Sequence, residues 1–166
     1  MKLINSRKFW TLLPILQVLI FILASCSQSP EVKPFSTIFD LPIGAKKLSA
    51  EIAITESQKA QGLMFRKSLS QNVAMIFVYQ TPQKVSLWMK NTEIPLDIAF
   101  LDKSGEITEI KQMYPHNLNP VNSTRADILY CIETNQNWFI NNNVSVGDKL
   151  DMSIFQKALA SRKAAE

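Results

Sequence analysis

A succession of short apolar runs separated by turn-forming residues constrains this chain more than any other feature of its sequence. Runs of this kind are the length of β-strands and too short for most helices. Leu48, Ala50, Ile52 and Ile54 alternate with Ser49, Glu51, Ala53 and Thr55, the period of a half-buried strand. Residues 73–79 are continuously apolar, as in a strand covered on both faces, and 85–89 and 96–101 read as further strands. Asp102-Lys103-Ser104-Gly105 is a turn from which residues 106–113 return as the second arm of a hairpin. Residues 128–132 form another run, and Leu150, Met152 and Ile154 alternate with Asp151 and Ser153. Thr55-Glu56-Ser57-Gln58 is a capping box opening a short helix that Gly62 can close. The expected fold is mainly β (α+β): a small closed or partly closed antiparallel β-barrel with one or two short helices.

The ends of the chain read differently. Lys2, Arg7 and Lys8 precede an apolar stretch over 9–23, which ends in Leu23-Ala24-Ser25-Cys26 and a polar segment. This is the layout of an export signal, and the tetrapeptide resembles a bacterial lipobox. In that reading residues 1–25 are removed and Cys26 carries palmitate-type acyl chains. Ser27 after the cysteine fits outer-membrane sorting, with the protein facing the periplasm. Residues 26–44, with Pro30, Pro34 and Pro42, read as a lipid-anchored tether. Residues 45–154 are then one β-barrel-like domain, and 155–166 a C-terminal helical tail. Removing the three basic residues of the signal reduces the formal charge from +4 to +1. That leaves no basic footprint for nucleic acid. Cys131, the one internal thiol, lies in an apolar run and reads as a small buried hydrophobe.

Three clusters have a composition that strand propensity does not explain: Gly62-Leu63-Met64-Phe65-Arg66, Ala74-Met75-Ile76-Phe77, and Trp88-Met89-Lys90-Asn91-Thr92 followed by Ile94-Pro95-Leu96-Asp97-Ile98. In order and spacing they resemble the domain of unknown function 192 family over roughly residues 48–150. Lys59, Ala74, Leu87 and Gln136 stand where that family more often has Arg, Gly, Phe and Gly. The resemblance implies one compact β-rich domain, often exported, with no established activity.

The candidate site residues are polar groups set in apolar sequence: Arg66, Trp88, Lys90, Asn91, Asp97 and Glu133. In a structural role, Arg66 or Lys90 pairs with Glu133 or Asp97 in a buried network. In a binding role, Trp88 is an aromatic platform beside the cationic and amide donors of Arg66, Lys90 and Asn91. That arrangement suits a small anionic or sugar-like ligand. Alternation sends Trp88 and Lys90 to one side and Met89 and Asn91 to the other, so a pocket requires the strand to end or bend near Lys90. The favoured function is an envelope binding or accessory module for such a ligand or for a protein partner, needing no cofactor. One alternative is an envelope hydrolase using Asp97 and Glu133 as a carboxylate pair. A lesser one is Cu(I) binding through Met113 and His116.

Overall fold

The computed structural model describes residues 37–164. The expected signal segment, Cys26 and most of the expected tether lie outside them. Eight strands and three helices follow in order: β1 (Phe39–Ile43), β2 (Lys46–Ala53), α1 (Glu56–Gln61), β3 (Val73–Gln83), β4 (Ser86–Leu87), β5 (Leu96–Asp102), β6 (Ile107–Met113), β7 (Val121–Asn122), β8 (Ile128–Asn135), α2 (Trp138–Asn141) and α3 (Met152–Ala164).

The domain is mainly β with short helices, but it is not a barrel. Six strands form one open sheet in the order β1-β2-β3-β8-β5-β6, and β4 and β7 form a separate two-stranded ribbon. Closure would need a ladder between β1 and β6. Instead the segment after Gly147 touches both edges through isolated bridges, Ile43 to Leu150 and Glu106 to Lys149. Nor is the sheet wholly antiparallel, because β2 and β3 run parallel. The chain between them, carrying α1, is the crossover that parallel neighbours require.

The β5–β6 hairpin forms as the turn signal implies, with Asp102 Oδ1 accepting from the Ser104 amide at 2.8 Å. The capping box also forms: Thr55 Oγ1 accepts from the Gln58 amide, and Gln58 Oε1 accepts from the Thr55 amide. Gly62 closes α1 with φ of 50°, a conformation that costs a side-chain-bearing residue.

Four local expectations are corrected. Strand β2 is covered on both faces at its end, so Glu51 and Ala53 are buried with Ile52. Strand β1 lies inside the stretch read as tether. Residues 85–89 are strand only at Ser86–Leu87. Residues 150–154 are not a strand, because Asp151 caps a helix there, its Oδ1 accepting from the Ile154 amide at 3.0 Å. The tail thereby becomes α3, which buries Phe155, Ala158, Leu159 and Arg162, the stripe expected at helical spacing.

The sheet carries an apolar cluster on each face. One joins Leu48, Ile52, Ile76, Ala99 and Ile132 to Trp138 and Phe139 of α2 and to Phe155 and Leu159 of α3. The other joins Met75, Phe77, Ile98, Phe100 and Cys131 to Leu63, Val85, Met89 and Ile94 of the covering loops. Because α3 completes the first cluster, Phe155→Ala should cost about 3–5 kcal/mol of stability in urea denaturation. A loosely attached tail would show no change.

Candidate functional site

The recognisable motifs meet in a loop layer over the second face. Its three segments are zipped by backbone hydrogen bonds: the Phe65 amide donates to the Asn91 carbonyl at 2.8 Å, Met89 to Asn117 at 3.0 Å and His116 to Thr92 at 3.2 Å. Phe65, Asn91 and His116 all hold positive φ, at 64°, 54° and 59°. Asparagine tolerates this region, whereas for a bulky residue such as Phe65 it is strained. Strain of this kind concentrates where a structure presents a site.

Arg66 anchors the layer to the sheet. Its Nη1 and Nη2 donate to Glu51 Oε1 and Oε2 at 2.5 and 2.8 Å, a bidentate pair with Glu51 only 1% exposed. The expected pairing of Arg66 or Lys90 with Glu133 or Asp97 is thus corrected. Arg66 takes a different carboxylate, and Lys90 lies over the Trp88 ring with Nζ 5.3 Å from its centroid. The chain does bend at Lys90. Strand β4 ends at Leu87, Met89 turns into the core, and Trp88 stays 49% exposed beside exposed Lys90.

Under this layer lies a cavity of about 240 Å³ whose walls include Lys59, Phe77, Tyr79, Trp88, Thr92 and Glu133. Glu133 is buried, and desolvation pushes its carboxyl up to about 8 even though the Arg66 guanidinium pulls the other way. It is therefore mostly protonated at neutral pH and able to donate a hydrogen bond. Burial raises the Tyr79 hydroxyl too, with further increments from Cys131 and Glu133. Burial likewise holds the Cys131 thiol well above its ordinary range, so it is no nucleophile at neutral pH. Lys59 lies 4.8 Å from the Tyr79 ring centroid and pairs with Glu56 at 2.6 Å.

The remaining expected site residues are placed elsewhere. In β5 and β8, Ile98 is opposite Glu133 and Asp97 is opposite Thr134. Side chains alternate along a strand, so Asp97 and Glu133 point from opposite faces of the sheet. They form no carboxylate pair, which removes the geometry on which the hydrolase alternative stood. Asp97 instead accepts from the Asn137 amide at 2.8 Å, where α2 begins. Asn91 serves the turn through its backbone. Met113 is buried in the apolar cluster with Met75 and Met89, whereas His116 is exposed, so the two do not converge on an ion. Among the described residues, no three His, Cys, Asp or Glu side chains are grouped to hold a metal.

Sequence reasoning missed Glu51, Lys59, Tyr79 and Thr92. Glu51 carries a usable signal, since a carboxylate between Ala50 and Ile52 needs a cation once the strand is covered on both sides.

The family profile described as "Uncharacterized ACR", that of the domain of unknown function 192, matches residues 40–152. The chain belongs to this family. A solved structure from Sinorhizobium meliloti 1021, described as a candidate transcription regulator, is 33% identical. It matches with a TM-score of 0.64 over 68% of this chain and 89% of its own. A protein of unknown function from Novosphingobium aromaticivorans DSM 12444 is 29% identical, with a TM-score of 0.66 over 75% of this chain and 94% of its own. No curated protein matches the chain. In this member of the domain of unknown function 192 family, the matched segment contains the whole loop layer and the cavity beneath it.

Two outcomes follow from the buried charges. Arg66→Ala strands Glu51 and should cost about 3–5 kcal/mol in chemical denaturation. Glu133 has the opposite linkage. Its carboxyl titrates near 4.5 when unfolded and about 8 when folded, so the folded state binds the extra proton between those values. Its contribution to stability is thus lost as pH rises through that window. Melting curves of the wild type and Glu133→Gln should therefore converge at low pH. They should separate above pH 8, with the variant more stable on the order of a few kcal/mol. Parallel curves would show that Glu133 is ionised throughout.

Proposed function

We propose that the cavity beneath the Trp88 turn binds a small, neutral, sugar-like ligand, and that the protein is a binding or accessory module with no catalytic step. The observation that carries this reading is the Trp88 ring, half-exposed beside a cavity whose buried wall includes Glu133, a carboxyl that burial pushes towards its protonated form. An aromatic face receives the apolar side of a sugar ring, Ser86 and Glu133 offer hydroxyl and carboxyl groups to its oxygens, and Thr92 Oγ1, which donates to the Lys90 carbonyl, can accept from a sugar hydroxyl. An anionic ligand is less well served, because Arg66 is held by Glu51 and Lys59 by Glu56. The volume, about 240 Å³, is below the roughly 300–1,000 Å³ usual for drug-sized ligands and suits a single ring.

Export and lipid anchoring at Cys26 are part of the same proposal and rest on the sequence of residues 1–29. They place the module in the bacterial envelope, at the outer membrane facing the periplasm. Metabolic labelling with palmitate should mark the wild type and not Cys26→Ser. Labelling of both, or of neither, would refute the anchor.

Native mass spectrometry of protein purified from a periplasm tests the ligand. The expected result is a reproducible added mass of monosaccharide size that Trp88→Ala loses while its melting temperature stays within a few degrees of wild type. A bare mass, together with unchanged Trp88 indole resonances across a panel of monosaccharides, would overturn the reading in favour of a protein partner.

A further inference from the structure

The other face of the sheet holds a second cavity, of about 310 Å³, between β6 and the segment around α2. Asp97 lines it from β5 and is only 4% exposed. Its two oxygens are used unequally. Oδ2 accepts from the Asn137 amide at 2.8 Å, whereas Oδ1 is buried without a hydrogen-bond partner. Among the described ion pairs none includes Asp97. Lys111, also at this cavity, sends its ammonium to the Asn122 carbonyl at 2.6 Å and to Glu109 at 3.0 Å. Gln112, opposite Asp97 in the hairpin, donates its amide to Asn137 Oδ1 at 3.2 Å. Much of the remaining wall is apolar: Phe139 and Val144 are buried, and Ile140 and Val146 are exposed.

A buried carboxylate oxygen without a donor is costly, and such oxygens in folded proteins are almost always met by a donor or a proton. Burial pushes the Asp97 carboxyl up, with the Asn137 amide offsetting part of the effect. Lys111 and Gln112 direct their donors elsewhere, which leaves Oδ1 open to a donor that a ligand could bring.

We propose that this cavity is a second binding site, for a protonated amine carried on a short apolar body. The ammonium donates to Asp97 Oδ1, and the apolar body lies against Phe139, Ile140 and Val146. Three features select that chemistry. A lone carboxylate oxygen among apolar walls favours a charge-assisted donor over a neutral one. With Oδ2 committed to Asn137, the carboxylate offers no two-pronged acceptor for a guanidinium, so a point-like ammonium fits better. One available oxygen is far short of the six to eight that calcium takes, or the octahedral shell of magnesium.

NMR titration with pentylammonium chloride, following the backbone amides of Asn137 and Val146, tests the site, with pentanol as the neutral control. The expected result is saturable binding of the amine, at least about tenfold tighter than pentanol. Asp97→Asn keeps an acceptor for the Asn137 amide and should weaken the amine about tenfold. Val146→Arg, at an exposed position, should block it by placing a fixed cation at the cavity, and it decides the matter if Asp97→Asn fails to fold. Trp88→Ala, on the opposite face, should bind the amine as wild type does. The proposal is overturned if the amine shows no saturable shift or pentanol binds equally well. It is equally overturned if Asp97→Asn, or Val146→Arg alone where that variant is the one that folds, binds with unchanged Kd.

Discussion

The bidentate pair between Arg66 and Glu51 is the contact on which the arrangement of this domain's second face depends. A carboxylate on a strand covered from both sides is tolerable only with a cation aimed at both of its oxygens. Supplying that cation brings the chain after α1 down onto β2. Phe65, next to Arg66, is then held in a left-handed conformation and donates its amide to Asn91. The Trp88 turn is tied to the sheet through this chain of contacts. The cavity exists because α1 and the turn are both held in place and neither fills the space above Glu133. Removing a buried ion pair and replacing it by apolar residues is often harmless for stability. Here the pair's value lies in where it puts the loop.

The same pair sets the charge state of the cavity. Arg66 favours the ionised form of Glu133, yet desolvation of this fully buried carboxyl prevails. One buried carboxylate therefore consumes the cation and the other retains its proton. That division gives the cavity a hydrogen-bond donor in place of an anion, which favours a neutral ligand over a charged one. Across the sheet the arrangement is reversed. Asp97 lies at a cavity where no described ion pair reaches it, one oxygen serving the α2 turn and the other facing apolar walls. The strand period alone sends these two carboxyl groups to opposite faces. The two therefore form no shared centre.

Much of the domain's local structure is legible in the sequence because short-range chemistry dictates it. The Thr55–Gln58 capping box, the turn at Asp102–Gly105 and the buried run of β3 need only neighbours within a few residues. The alternation of Trp88, Met89 and Lys90 made a bend near Lys90 the condition for a pocket there, and the strand does end at Leu87. Local reading failed where two signals competed. Leu150, Met152 and Ile154 match a strand period, but Asp151 between them is a helix cap. The helix prevails because its Phe155, Ala158 and Leu159 stripe extends the core that Leu150 already enters, whereas a strand's third alternating residue, Ile154, stays exposed.

The sequence by itself determined the family, the β character, the short helix α1 and the set of polar residues worth inspecting, since composition and spacing carry those. Only the tertiary structure decided that β2 and β3 run parallel, that the sheet stays open, and that Glu51 rather than Glu133 or Asp97 receives Arg66. It alone separated Asp97 from Glu133 and placed Tyr79 and Lys59 beside Trp88. These outcomes depend on pairing between segments far apart in the chain, whose free energies come from burial and register. No window of neighbouring residues encodes which distant strand will cover a given face.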